Sequence, residues 1–165
     1  MPVVIRVLVL GTAAGLAMSS VASAQLRASV GAGAGIAGST DATLSEGRTA
    51  PVAMAQVTRA AGPIGVGLEV DGWWRSASDV LVATGNLQLQ VPSTQFFVTL
   101  GAGFGRGDPD GLGTISGTAG HVGVAYDIPV SGSKLALTAF GNGFLVYSPT
   151  RSIQMVEGGL AITRR

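Results

Sequence analysis

Cysteine is absent from this chain of 165 residues, and charged and aromatic residues are scarce, at 12% and 5%. The absence of cysteine excludes disulfides, thiol catalysis and cysteine-ligated metal. The net charge is only +1, and no cluster of lysine and arginine indicates a nucleic-acid partner. After residue 24 there is no run of about 20 apolar residues that could form a membrane-spanning helix. Mean hydropathy is nevertheless +0.47, which is high for a soluble domain.

Glycine, in contrast, is abundant, with 26 residues in the chain. This is roughly 16% of the residues, where about 7% is usual. Such a content argues against long helices, because glycine is a poor helix former. A Gly-X-Y period is missing, so the chain is not collagen-like.

The N-terminal segment has the pattern of a secretory signal peptide. Arg6 precedes an apolar core over residues 7–18, and the small residues Ala22, Ser23 and Ala24 follow. This order predicts export and cleavage after residue 24, which leaves residues 25–165 as one mature domain. An uncleaved membrane anchor is the less favoured interpretation, because the apolar core is shorter than a bilayer-spanning helix.

Apolar residues alternate with small or polar residues through most of the mature chain. In residues 64–74, Ile64, Val66 and Leu68 fall on one face, whereas Glu69 and Asp71 fall on the other. A period of two is typical of a strand with one apolar face. The pattern predicts eight strands, and only the facing of the second stays open: residues 26–36, 52–59, 64–74, 81–91, 96–105, 121–128, 134–139 and 156–163.

The connections between these strands favour an up-and-down barrel. Tight turns rich in glycine, proline and serine are predicted at residues 61–63, 92–94 and 130–133. The other connections are mostly longer and richer in charge, near residues 38–51, 75–78, 106–113 and 148–151. Eight strands joined in this way predict an all-β fold, an eight-stranded antiparallel transmembrane β-barrel.

The composition of the two strand faces favours lipid outside the barrel. The non-apolar face consists mostly of glycine, alanine, serine and threonine, whereas a water-facing surface carries about a quarter to a third charged residues. Small residues suit the interior of a narrow barrel, where glycines such as Gly31, Gly33 and Gly103 are expected. A soluble periplasmic or secreted barrel that binds a small apolar ligand is the alternative.

The export signal, the eight amphipathic strands and the last strand at residues 157–163 resemble the small eight-stranded outer-membrane barrels of the OmpA-like and OmpX-like superfamily. The resemblance implies a bacterial outer-membrane location, contact with outer-membrane lipid, handling by the barrel-insertion machinery and a non-enzymatic role in envelope structure or surface interaction. Such barrels usually end in an aromatic residue, and this chain ends in Thr163, Arg164 and Arg165.

Six charged residues fall on faces predicted to line the barrel: Arg27, Glu69, Asp71, Asp127, Lys134 and Glu157. Charges in a narrow interior of low dielectric should pair. Barrel closure puts Arg27 and Glu157 on neighbouring strands, so these two are candidates for a pair. We therefore predict an interior packed with small residues, containing a few ion pairs and no continuous pore.

Two further sets of residues are predicted at the barrel ends. Aromatic residues at strand ends suit interfacial belts: Trp73, Trp74, Tyr147 and Phe144 near the loops, and Tyr126 and Phe96 near the turns. Arg106, Asp108 and Asp110 are predicted in a surface loop, through which an unknown surface ligand could bind.

The sequence indicates no catalytic, cofactor or metal site. Gly33, Gly35 and Gly38 match a dinucleotide-binding pattern, but no amphipathic helix follows them. His121 is the only histidine, and a nucleophile is not evident beside it, so we interpret it as structural. The Asp108 and Asp110 segment lacks the further oxygen ligands of a calcium loop.

Overall fold

The computed structural model describes residues 25–39, 48–76, 78–111 and 113–165. The predicted signal peptide, residues 1–24, lies outside the described residues. The described part of the chain contains no helix long and apolar enough to cross a membrane.

Eight antiparallel strands form one closed barrel, so the fold class predicted from the alternation is confirmed. Each strand pairs with its neighbours in sequence, and β1 closes the barrel by pairing with β8. The strands are β1 (Gln25–Ser39), β2 (Arg48–Ala61), β3 (Ile64–Arg75), β4 (Ser78–Gln90), β5 (Phe96–Gly107), β6 (Ile115–Pro129), β7 (Leu135–Tyr147) and β8 (Ser152–Arg164). They are 12 to 15 residues long, longer than most of the predicted segments.

The alternation predicts which face of each strand is turned inward. In β4, Val82, Thr84 and Asn86 are buried while Leu81 and Leu87 are exposed, and the other amphipathic strands follow the same rule. The open facing of β2 is settled by Val52, Met54, Gln56 and Thr58, which are all buried. The sequence pattern is weak there because the outward positions of β2 include Pro51, Ala53 and Ala55, where other strands carry large apolar residues.

The two ends of the barrel differ in their connections. We name the end with the β2–β3, β4–β5 and β6–β7 connections the turn end, and the opposite end the loop end. Gly62, with φ +63°, and Gly132, with φ +72°, adopt left-handed conformations in two of the turns. The predicted contrast in length is weaker than expected, because β3 and β4 at the loop end are separated by only residues 76–77.

Glycine permits a close approach of strands at the seam that closes the barrel. Gly33 of β1 lies opposite Gly159 of β8, and Ala34 lies opposite Gly158. A Cβ atom on Gly33 would lie 2.0 Å from the carbonyl oxygen of Gly158, and one on Gly159 would lie 2.2 Å from that of Ala32. Both distances are too short for any side chain, so the seam as it stands requires glycine at these two positions.

Candidate functional site: the barrel interior

The interior of the barrel is divided into three layers along its axis. At the turn end, Arg27, Asp127 and Arg165 form the mouth layer. In the middle, Glu69, Asp71 and Glu157 form the carboxylate layer together with the amides that contact them. At the loop end, buried apolar side chains form the apolar layer: Ala37, Ala50, Val52, Trp73, Val80, Val82, Ile115, Ala119, Phe144, Val146, Ile153 and Met155.

The mouth layer is organised around Asp127, which is fully buried. Arg27 donates from Nη2 to Asp127 Oδ1 at 2.8 Å and from Nε to Oδ2 at 3.4 Å. Arg165 Nη2 lies 3.1 Å from Asp127 Oδ2, and Thr138 donates to Asp127 Oδ1 at 2.5 Å. One carboxylate therefore binds two guanidinium groups, which is the charge-assisted arrangement that makes a buried ion pair favourable.

Arg27 also connects the mouth layer to the middle of the barrel. Its Nη1 donates to Gln56 Oε1 at 3.0 Å, and its guanidinium carbon lies 4.7 Å from the centre of the Phe97 ring. Gln56 in turn donates from Nε2 to Glu69 Oε2 at 2.9 Å. The stacking and the hydrogen bonds fix this buried guanidinium in one position.

The carboxylate layer brings three acidic side chains around one amide. Asn142 Nδ2 lies 2.8 Å from Glu69 Oε1, 3.3 Å from Glu157 Oε1 and 3.5 Å from Asp71 Oδ1. Asn86 donates to Glu69 Oε2 at 2.7 Å. Within the described residues, no arginine or lysine forms an ion pair with these three carboxylates. Oδ2 of Asp71 and Oε2 of Glu157 are buried and receive no hydrogen bond from a donor group, and the two carboxyl groups lie within hydrogen-bond reach of each other.

His121 lies between the carboxylate layer and the apolar layer. Its Nδ1 is 3.3 Å from Asn86 Oδ1 and 3.8 Å from Glu69 Oε2. Its ring stacks on Phe144 with centroids 4.5 Å apart. These contacts suit a histidine held in place by packing. In the described ranges, no cluster of three or more histidine and acidic side chains is arranged so that it could hold a metal ion.

The apolar layer separates the polar middle from the loop end. Trp73 is its largest side chain and is completely buried, with Nε1 donating to the carbonyl oxygen of Gly35 at 3.1 Å. Because the only polar group of this ring has a partner, the indole is held in the interior without an unsatisfied donor.

Two cavities lie on the turn side of the apolar layer. The larger, which we name the mouth cavity, has a volume of about 170 Å³ and is lined in part by Arg27, Gln88 and Arg165. The smaller has about 10 Å³, room for roughly one water molecule, and shares Arg27 and Gln88 with the first.

The predicted interior charges fall into two groups in the structure. Arg27, Glu69, Asp71, Asp127 and Glu157 are buried in the barrel. Lys134 differs from the prediction: its side chain is exposed in the β6–β7 turn, because β7 begins one residue later, at Leu135.

The expected pair of Arg27 and Glu157 does not form. Glu157 lies opposite Gly35 in the register of β1 and β8, eight residues along β1 from Arg27. Arg27 pairs instead with Asp127, across the barrel from β6. The large side chains of Trp73 and Phe144 also make the interior less uniformly small than predicted.

The predicted interfacial aromatics are likewise divided. Tyr126 and Tyr147 are exposed on the outer face, and Trp74 is half-buried there, against Gly72. Trp73 and Phe144 were wrongly placed, because both lie inside the barrel. Two adjacent tryptophans on a strand must face opposite sides, so Trp73 and Trp74 could not share one belt.

The residues predicted in the surface loop lie at the loop end. Arg106 is exposed but still belongs to β5, whereas Asp108 and Asp110 follow that strand. Asp110 lies 3.6 Å from Arg151 Nη2, and Asp108 Oδ2 accepts a hydrogen bond from the Gly113 amide at 3.1 Å. Gly33, Gly35 and Gly38 lie within β1, in a strand and not in a phosphate-binding turn.

Several residues of the interior network were missed in the sequence, among them Gln56, Asn142 and Arg165. Asn142 stands an even number of residues after Thr138, so it would have been assigned inward if the predicted seventh strand had extended beyond residue 139. The inward position of Gln56 could not be predicted because the alternation of β2 is weak. No sequence pattern indicated that Arg165, after the last strand, turns back to Asp127.

No protein-family model matches the chain, and no curated protein matches it. Among solved structures, it is similar to Neisserial surface protein A, with a TM-score of 0.56 and 13% identity over 86% of this chain and 97% of that chain. It is also similar to Ail, the attachment invasion locus protein of Yersinia pestis, solved in complex with the heparin analogue sucrose octasulfate. That comparison has a TM-score of 0.53 and 11% identity over 85% of this chain and 98% of that chain. The closed sheet and these likenesses together show that the chain has the fold of the small eight-stranded outer-membrane barrels.

Proposed function

We propose that this chain is a non-enzymatic barrel of the bacterial outer membrane that serves envelope structure and presents short loops at the cell surface. The observation that carries the proposal is the apolar outer face. Seven of the eight strands expose large hydrophobic side chains outward, for example Val30, Leu68, Leu100, Val122 and Ile162. Such a surface is untenable in water, whereas in lipid it is the expected outer face of a closed barrel.

The interior argues against the alternative of a soluble barrel that binds an apolar ligand. Such a barrel turns its apolar faces inward around a cavity. Here the middle of the barrel is lined by Glu69, Asp71 and Glu157, and the mouth cavity by Arg27 and Arg165. The apolar layer at the loop end is packed with side chains, and the larger cavity has a charged lining, which is opposite to what the soluble alternative needs.

A structural role fits the interior better than catalysis does. His121 is buried and stacked on Phe144, and its described polar neighbours are Asn86, Asn142 and Glu69, none of which supplies a nucleophilic hydroxyl. The hydroxyl groups of Thr138, Thr163 and Ser29 bond to one another or to Asp127 at the opposite end of the barrel. The buried hydroxyls of Thr58 and Thr84 have no hydrogen-bond partner, so within the described residues no hydroxyl is bonded to His121 as a base–nucleophile pair requires.

The loop end is the proposed surface for interaction. Its described arginines, Arg48, Arg75, Arg106 and Arg151, are interspersed with Asp79, Asp108 and Asp110. Sucrose octasulfate, with which Ail was solved, is a sulfated polyanion, and a purely basic patch would be expected for such a ligand. The mixed charges at the loop end of this chain favour a partner that also carries charges of both signs. The other two proposed partners, outer-membrane lipid and the barrel-insertion machinery, would not bind through the loops.

A pair of substitutions tests the membrane location. Val122 lies at the centre of β6 and is 53% exposed, whereas Val130 lies in the turn after β6 and is 50% exposed. In a bilayer, Val122→Arg should lower the free energy of unfolding by about 2–4 kcal/mol and Val130→Arg by about 0–1 kcal/mol. Equal, negligible effects of the two substitutions would be the result for a water-exposed surface and would contradict the proposal.

Cell fractionation gives an independent measurement. We expect the protein in the outer-membrane fraction, extracted only by detergent, with gel mobility that changes on heating. Recovery in the soluble periplasmic fraction would contradict the proposed location and restore the soluble alternative.

A further inference from the structure

The mouth cavity has the properties of a small binding site. It lies at the turn end, and its volume of about 170 Å³ is enclosed by side chains of both charged and apolar character. Ligand sites for drug-sized molecules usually have about 300–1,000 Å³. A cavity of this smaller size suits a molecule with few non-hydrogen atoms.

The charged side chains around the mouth cavity sum to one positive charge. Arg27 and Arg165 both line it, and Asp127 is the only acidic residue among its described lining residues. Arg27 and Asp127 are more than nine-tenths buried, so their charges are poorly screened by solvent. A ligand with a single negative charge would neutralise this positive charge.

Hydrogen-bonding capacity remains unused on the guanidinium group of Arg165. Arg165 Nε is buried and has no hydrogen-bond partner among the described residues, although Nη2 of the same side chain donates to Gln95 Oε1 at 2.8 Å. The backbone amide of Arg165 donates to the carbonyl oxygen of Lys134 at 2.9 Å, which holds this residue across the mouth of the barrel. Nε itself does not face the cavity, but 32% of the Arg165 side chain is exposed at the mouth, and the accessible part of the guanidinium group can donate to a bound acceptor.

The remaining lining residues define the ligand further. The amides of Gln25, Gln88, Gln90 and Gln95 provide neutral donors and acceptors, and Phe97 and Pro63 provide apolar walls. A planar guanidinium group matches the two oxygens of a carboxylate better than it matches a spherical anion.

We propose that the mouth cavity binds a small monocarboxylate, with its carboxylate between Arg165 and Arg27 and its remaining atoms against Phe97 and Pro63. This proposal rests on the proposed outer-membrane location in one respect: that location would place the mouth cavity in the periplasm, which would supply the ligand. Binding itself depends only on the folded barrel.

Acetate is the probe for this site, and acetamide is its uncharged counterpart. The protein is purified from membranes in detergent, and NMR follows the Nε–H signal of Arg165 and the side-chain amide signals of Gln88 and Gln95. We expect saturable shifts with acetate and none with acetamide, and no matching shifts with chloride at equal ionic strength. Shifts that do not saturate, or that chloride reproduces, would overturn the proposal.

Arg165→Gln and Arg164→Gln form a matched pair of variants. Both remove one positive charge from adjacent residues, but Arg164 is exposed and does not line the cavity. Arg165→Gln should weaken acetate binding about tenfold, the loss of one charge-assisted hydrogen bond, and Arg164→Gln should change it less than about twofold. Equal weakening in both variants would show a general charge effect and would refute the site.

Heat-dependent gel mobility of each variant separates this test from that of the proposed function. A variant that keeps the barrel mobility but loses acetate binding supports the site. A wild-type barrel that is correctly inserted but shows no saturable shift refutes the carboxylate site and leaves the proposed function intact.

Discussion

Single glycines decide how closely the strands of this barrel approach one another. At Gly33 a Cβ atom would lie 2.0 Å from the carbonyl oxygen of Gly158, whereas at Gly141 its nearest neighbours would be 3.8 Å away. We therefore expect Gly33→Ala to lower the free energy of unfolding by about 1–3 kcal/mol, because the β1–β8 seam must widen. Gly141→Ala should change it by less than about 0.5 kcal/mol. Urea denaturation of both variants in vesicles measures the difference, and equal losses would contradict it.

The two adjacent tryptophans provide a spectroscopic test of facing. Trp73 is completely buried in the apolar layer, whereas Trp74 lies against Gly72 on the outer face. In vesicles of brominated phospholipid, Trp73→Phe leaves only Trp74, whose fluorescence should be strongly quenched. Trp74→Phe leaves only Trp73, whose fluorescence should change little. The reverse order of quenching would show that the facing of β3 is incorrect.

At the scale of the strand, alternation was sufficient to predict the fold but not every facing. In β3 large apolar residues at most outward positions give an unambiguous pattern. In β2 the outward positions include Ala53 and Ala55, so neither face stands out. The position of Trp73 near a strand end suggests an interfacial belt, whereas its parity with Glu69 and Asp71 places it inside the barrel, and the structure follows parity.

Replacing an aspartate by asparagine should change the free energy of unfolding in opposite directions in the carboxylate layer and in the mouth layer. Asp71 has two acidic neighbours and no described cationic partner, whereas Asp127 binds two arginines. Asp71→Asn should raise the free energy of unfolding by about 1–2 kcal/mol, because it removes the free-energy cost of burying an acidic group that has no cationic partner. Asp127→Asn should lower it by about 3 kcal/mol, because it leaves two guanidinium groups without their carboxylate.

Unfolding by urea in vesicles, with each variant compared with the wild type, measures both changes. A loss of stability in Asp71→Asn would show that the three carboxylates depend on the charge of Asp71. An unchanged stability in Asp127→Asn would show that Arg27 and Arg165 find other partners.

At the scale of the whole molecule, the contents of the interior could be predicted only in part. The inward positions of Arg27, Glu69, Asp71, Asp127 and Glu157 followed from parity. Their partners did not, because partners across a barrel depend on strand register and tilt. Arg27 contacts Asp127, 100 residues away in the sequence, and nothing in the local pattern of either strand specifies that contact.

The three layers imply that the interior of the barrel is blocked to ions at two successive points along its axis, which we call closures. Trp73 and its apolar neighbours fill the loop end, and Arg27, fixed by Asp127 and Gln56, separates the mouth cavity from the smaller cavity. In planar bilayers the wild type should therefore show no large, stable conductance, and neither Trp73→Ala nor Arg27→Ala alone should change this. Only the double variant opens both closures, and its current should favour cations, because Glu69, Asp71 and Glu157 line the path between them. Stable conductance of the wild type, or of either single variant with unaltered heat-dependent mobility, would show that the layers do not close the barrel.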